Sequence, residues 1–226
     1  MPSLELAVLA LALATITLSL TTLGRPFLAL FLAHAGLTWA LASRNFFSES
    51  SLPPRIPLYA LATILLGVIA WKRLRPDAPP VHRVIAFQSF RLPLELLLFA
   101  FWRTGDLPQQ MTFEGQNFDV LVGLTAPLIA WLLATKRITP RIALAWNFLG
   151  VALLLNVLRI AVTSFPGPLH ADWPGEPLTV VARWPFVLIP ALFVPFAAWG
   201  HLFTARELWA GAAPSRSSET RAAAAS

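Results

Sequence analysis

The apolar residues of this chain fall into long blocks, and short breaks containing Pro, Gly and Arg divide them. Hydrophobic residues make up 57% of the chain and charged residues 12%, against about 25% charged in an ordinary soluble domain. A soluble fold would need more polar chain to wrap these blocks than 226 residues supply. Blocks of this length and composition meet their own backbone hydrogen-bonding needs as helices crossing a bilayer. The expected fold is therefore all-α, a polytopic transmembrane helix bundle, and the lipid bilayer is its first partner.

Seven spans are expected, at residues 4–23, 27–42, 57–71, 84–102, 117–135, 141–163 and 183–205. A span needs about 20 residues, with roughly 17–25 usual, so the second and third are short. Leu4 to Ala42 is too long to cross once, which makes Gly24-Arg25-Pro26 a tight turn between two antiparallel spans. Residues 1–210 form the membrane domain, and the Ala/Ser-rich tail 211–226 is expected to be disordered. The leading Met1-Pro2-Ser3-Leu4-Glu5 lacks the positive charge of a signal-peptide n-region.

Lys and Arg placement orients the bundle, because cytoplasmic loops hold the excess. With the N-terminus outside, eleven fall inside: Arg25, Lys72, Arg73, Arg75, Arg83, Lys136, Arg137, Arg141, Arg206, Arg216 and Arg221. Only Arg44, Arg55, Arg103 and Arg183 fall outside. The N-terminus is thus expected outside and the C-terminus in the cytoplasm. Tryptophans gather at both boundaries as an aromatic belt, with Trp199 alone off the pattern. The Arg-over-Lys bias and the Ala/Pro content fit a GC-rich bacterial genome, hence a multipass protein of the cell inner membrane.

The net charge of +6 is explained by this asymmetry. No basic run accompanies a groove-reading module, so nucleic acid is excluded as a partner. The absence of cysteine removes disulfides, thiolate metal sites and cysteine nucleophiles. His34, His82, His170 and His201 show no ligand spacing, and no phosphate loop, nucleophile elbow or HExxH occurs. Neither a metal nor a cofactor is expected.

Two polar stripes stand out in the spans. Gln88, Arg91 and Glu95 share one face of the fourth, at i, i+3 and i+7. Charges in hydrocarbon face the bundle interior, paired or wetted. Arg91 and Glu95 could pair within the helix, and Pro93 frees the carbonyl near Ser89. Asn156, Arg159 and Thr163 repeat the spacing on the sixth span. Arg159 lies about 27 Å up its helix and Glu95 about 16 Å up its own, so the two sit at different depths. Arg159 reads either as an arginine snorkelling to the interface or as an anion-binding guanidinium. Asn117 and Asp119 read as caps of the fifth span. Pro185, Pro190 and Pro195 read as kinks.

From Met111 to Leu208 the chain resembles a group of bacterial multipass membrane proteins without an assigned activity. Glu114-Gly115-Gln116, Asn156-Val157-Leu158-Arg159 and His170 also resemble the Glu-x-Cys, Asn-x-x-Arg and later His of exosortases. Those are membrane enzymes that process C-terminally anchored proteins on the outer face. The resemblance implies an outer-surface site at Glu114, Asn156, Arg159 and His170. Gln116 stands where the family has its cysteine, and an amide is no nucleophile.

The leading expectation is a non-enzymatic carrier or accessory factor with an outward-facing polar pocket. Gln88, Arg91, Glu95, Glu114, Gln116, Asn156, Arg159 and His170 are its candidate binding residues. The alternatives are an exosortase-like enzyme, or an inactive relative of one, and a structural partner subunit. Small residues such as Ala7, Ala10 and Ala14 would face other membrane proteins in the last case.

Overall fold

The computed structural model describes residues 2–23, 26–48, 55–74, 79–175 and 177–212. Seven helices lie among them: α1 (Pro2–Leu23), α2 (Pro26–Ala42), α3 (Arg55–Leu74), α4 (Val81–Arg103), α5 (Val120–Ala134), α6 (Pro140–Ser164) and α7 (Val194–Ala212). No strand occurs among the described residues. One helix stands at each expected block, and α1 packs against α2 as a separate element. The expected turn at Gly24-Arg25 lies outside the described residues. So does the tail from residue 213, while α7 runs on to Ala212. Among the described residues, α4 and α6 are the two helices long and apolar enough to cross a membrane, by length and composition.

Chain direction follows from two clusters at opposite ends of the bundle. Ile85, Ala130, Ala143 and Leu208 pack together at one end. At the other, Ala42, Phe47, Ala182 and Val187 pack with Ile56, Tyr59 and Phe165. Helices α4 to α7 therefore alternate in direction. The connections 43–48, 104–119 and 165–188 collect at the second end, called the upper end below.

Proline sets the departures from regular helix. Pro93 has no N–H for the carbonyl four residues back, and α4 tightens into a 3-10 turn at Gln88–Phe90. The seventh helix begins later than the expected 183, because Pro185 and Pro190 interrupt it. Residues 183–187 are turn, and Ile189–Phe193 is one π turn before α7. Pro195 likewise leaves the Ala191 carbonyl without its usual donor. His34 Nε2 on α2 donates to that oxygen at 2.9 Å, while Tyr59 stacks on the imidazole.

The centre is α7, which contacts α3, α4 and α6, while α4 contacts α1, α5 and α7. On α1 the buried stripe is Val8, Ala12, Thr15 and Ser19, and Ala10 and Ala14 stay exposed. Trp199 leaves the boundary belt because it works as a wedge: its Nε1 donates to Ile64 O at 2.9 Å over Gly67. Gly150 on α6 gives a similar close approach, its missing Cβ replaced by the His201 ring.

Gly150→Val is expected to lower the melting temperature of the purified protein, costing about 2 kcal/mol by overpacking. Gly36→Ala, whose added Cβ would meet nothing within 4 Å, should stay within about 0.5 kcal/mol of the parent. Equal melting temperatures for both variants would contradict the α6–α7 packing.

Candidate functional site

Arg91, Asp119 and His201 form the buried polar centre. Arg91 donates from Nε and from one terminal nitrogen to the two carboxylate oxygens of Asp119, a bidentate pair. Its other terminal nitrogen donates to His201 Nε2 at 2.6 Å. An imidazole that accepts at Nε2 carries its proton on Nδ1, and Nδ1 donates to Asn147 Oδ1 at 2.9 Å. Asn147 Nδ2 returns to His201 O at 3.2 Å. No member of the group is more than 4% exposed, so every donor and acceptor has to be met from within.

These contacts replace two expectations. Arg91 does not pair with Glu95 along its own helix, because Asp119 offers both oxygens in the plane of the guanidinium. Asp119 makes no side-chain cap on α5 for the same reason. Asn117 holds the segment instead, its Oδ1 accepting from Asp119 N at 3.0 Å.

Among the described residues, Glu95 receives its side-chain hydrogen bonds from Asn117 alone. Asn117 Nδ2 lies 3.0 and 2.8 Å from the two Glu95 oxygens and 3.0 Å from Met111 O. Two amide protons serve three acceptors there. No Lys, Arg or His nitrogen among the described residues comes within 4.0 Å of the Glu95 carboxylate. Gln88 turns to α7 and donates to Ala197 O at 3.1 Å, with its own carbonyl oxygen unpartnered among the described residues.

Glu95 and Arg91 border a cavity of about 120 Å³ whose lining extends from them to residues 165–169 at the upper end. Its walls are Ile56, Pro57 and Ala60 of α3, Phe90, Leu94 and Leu98 of α4, and Leu154, Leu158, Ala161 and Val162 of α6. The π turn adds Ile189, Pro190 and Phe193, and residues 165–169 complete the lining. The wall is apolar, where a polar pocket was expected. Of the eight candidate residues, Arg91 and Glu95 line it; Gln88, Glu114, Gln116, Asn156, Arg159 and His170 do not.

Helix geometry explains the exclusion of the second stripe. At 100° per residue, Asn156, Arg159 and Thr163 lie about 160° around α6 from its cavity-lining residues. They form a separate cluster on the outer flank. Asn156 Nδ2 donates to Gln116 O at 2.7 Å, and Arg159 donates to Gln116 Oε1 at 3.2 Å and Asn156 Oδ1 at 3.0 Å. The guanidinium stands 5.8 Å from the Trp173 ring, and Trp173 Nε1 donates to Thr163. Glu114 and His170 are exposed, and their side chains make no hydrogen bond to this cluster among the described residues.

Sequence reasoning missed Asn147 and His201. The signal was present, since both are polar residues inside apolar spans, but neither belongs to a same-helix stripe.

Asp119→Leu strands a buried guanidinium and should cost about 3–5 kcal/mol, whereas the double variant Arg91→Met/Asp119→Leu should recover part of that loss. Thermal melts of the purified variants measure both. A double variant less stable than the single would mean that the pair itself, and not the stranded charge, dominates.

The family described as Domain of unknown function (DUF8737) matches residues 55–209, from the start of α3 almost to the end of α7. No curated protein and no solved structure matches the chain.

Proposed function

We propose that this chain, which belongs to the family described as Domain of unknown function (DUF8737), is a multipass protein of the cell inner membrane that holds a small apolar ligand, or the apolar end of an amphiphile, as a carrier or accessory factor. The observation that carries this reading is the apolar cavity ending on Glu95. Its volume is close to that of an engineered apolar cavity of about 150 Å³ that stays dry and binds benzene. A ring or a six-carbon chain fits such a space, and burial of its surface would drive binding.

Two features support the membrane setting. The apolar window of α6 is only 22% buried, although a core helix of a soluble protein hides most of its surface. Leu61, Leu65, Leu66, Leu121, Leu124, Leu128, Phe148, Leu149 and Leu155 are exposed on the flanks of α3, α5 and α6. Apolar surface on this scale marks contact with lipid or with other proteins. Arg83, Lys136, Arg137 and Arg141 stand at the lower end, which is the cytoplasmic side under the charge rule. The upper end of the cavity, lined by residues 165–169, then lies toward the outside.

Because the chain has no cysteine, single cysteines report sidedness cleanly. Gln109→Cys should react with a membrane-impermeant maleimide on intact spheroplasts, and Lys136→Cys only after permeabilisation. The opposite pattern would invert the bundle, and equal labelling of both would remove it from the membrane.

Cavity binding is read by photo-crosslinking with a six-carbon alkyl diazirine alcohol. Peptides containing Leu154–Phe165 should label above those of the exposed α5 flank, Leu121–Leu128. Ala161→Phe, which puts a ring into the void, should cut that labelling about ten-fold while gel filtration stays unchanged. Labelling no stronger than the α5 background would sink the reading.

A further inference from the structure

Resting on the ligand reading above, we infer that the cavity selects a protonated amine at the head of its apolar ligand, with Glu95 as the counter-charge. Two of the charges at the cavity floor are already matched. Arg91 and Asp119 pair with each other through two parallel hydrogen bonds, so the guanidinium and one carboxylate cancel. Glu95, 1% exposed, remains.

Hydrogen-bond capacity points the same way. An ionised carboxylate offers about four acceptor positions. Here both oxygens draw on a single amide nitrogen, and that nitrogen also serves Met111 O. Once ionised, Glu95 is therefore short of donors as well as of a cation in hydrogen-bonding contact among the described residues. The cavity is the open side on which a ligand can supply them, because the carboxyl borders it and the surrounding wall is hydrocarbon. A primary ammonium brings three N–H donors and one positive charge. In a low-dielectric wall, the interaction of that charge with Glu95 is far stronger than in water. A hydroxyl head would bring one donor and no charge, and a carboxylate head would repel.

The depth suits an amine on a short tail. Glu95 is eight residues below Arg103, about 12 Å from the upper end of α4. An extended six-carbon chain covers much of that depth, in the direction of the lining residues 165–169. The remaining charged group on the wall is Arg55 at the mouth, donating to Phe46 O at 3.0 Å and lying 4.8 Å from the Phe46 ring. Arg55 defines the competing outcome, in which an amphiphile carries a carboxylate and leaves it at the mouth.

The test uses the full-length protein in nanodiscs and the six-carbon diazirine alcohol as reporter, with hexylamine, 1-hexanol and hexanoate as competitors. Hexylamine should displace the reporter at about ten-fold lower concentration than 1-hexanol, the size of one charge-assisted hydrogen bond. Hexanoate should be the weakest. In Glu95→Gln the advantage of hexylamine over 1-hexanol should fall to about one-fold. The competitor ranking in the parent protein decides the matter even if that variant does not fold. Equal displacement by hexylamine and 1-hexanol, with the cavity peptides still labelled, overturns the amine inference and leaves the apolar-ligand reading standing. Preference for hexanoate overturns it in favour of Arg55. Absence of cavity labelling by the reporter overturns the ligand reading, and the amine inference with it.

Discussion

The bidentate pair between Arg91 and Asp119 is the interaction around which the middle of the bundle is arranged. A guanidinium buried to 1% exposure is tolerable only when its charge and its donors are met. Asp119 meets the charge from the start of α5, and His201 takes a further donor from α7. Asn147 on α6 then fixes the tautomer of that histidine. Four helices are thus tied to one side chain. Their close approach is made possible by Gly150 under the imidazole and Gly123 against the α4 backbone at Leu92.

The same pair explains why Glu95 is exceptional. Had Arg91 turned one helical turn along α4, the two charges would have cancelled privately and the cavity floor would have been inert. Asp119 wins because a carboxylate on another element can lie coplanar with the guanidinium, a geometry that a neighbour on the same helix reaches poorly. The consequence is a carboxyl at the edge of an apolar space, with one amide for company.

The cavity itself follows from irregular backbone. Pro190 and Pro195 deny the seventh helix two of its N–H groups, and the chain answers with a π turn that forms part of the cavity wall. Helix α2 completes the arrangement when His34 satisfies the Ala191 carbonyl. The prolines read in the sequence as kinks are therefore structural conditions for the space between α3, α6 and α7. On the far side of α6, Arg159 is neither buried nor paired with Glu95. It lies over Trp173 and holds Gln116.

Element positions were legible in the sequence because they depend on local quantities. Apolar blocks and their Pro, Gly and Arg breaks mark seven helices without strands, and the i, i+3, i+7 spacing put Gln88, Arg91 and Glu95 on one face. The tertiary structure alone decided which polar groups meet. His201 and Asn147 are 54 residues apart and Arg91 and His201 110 apart, and no local pattern encodes such pairings. It also decided that the two stripes serve different places, since the rotation of α6 is set by its packing against α7. A stripe shows which residues share a face; only the neighbouring helices determine where that face points.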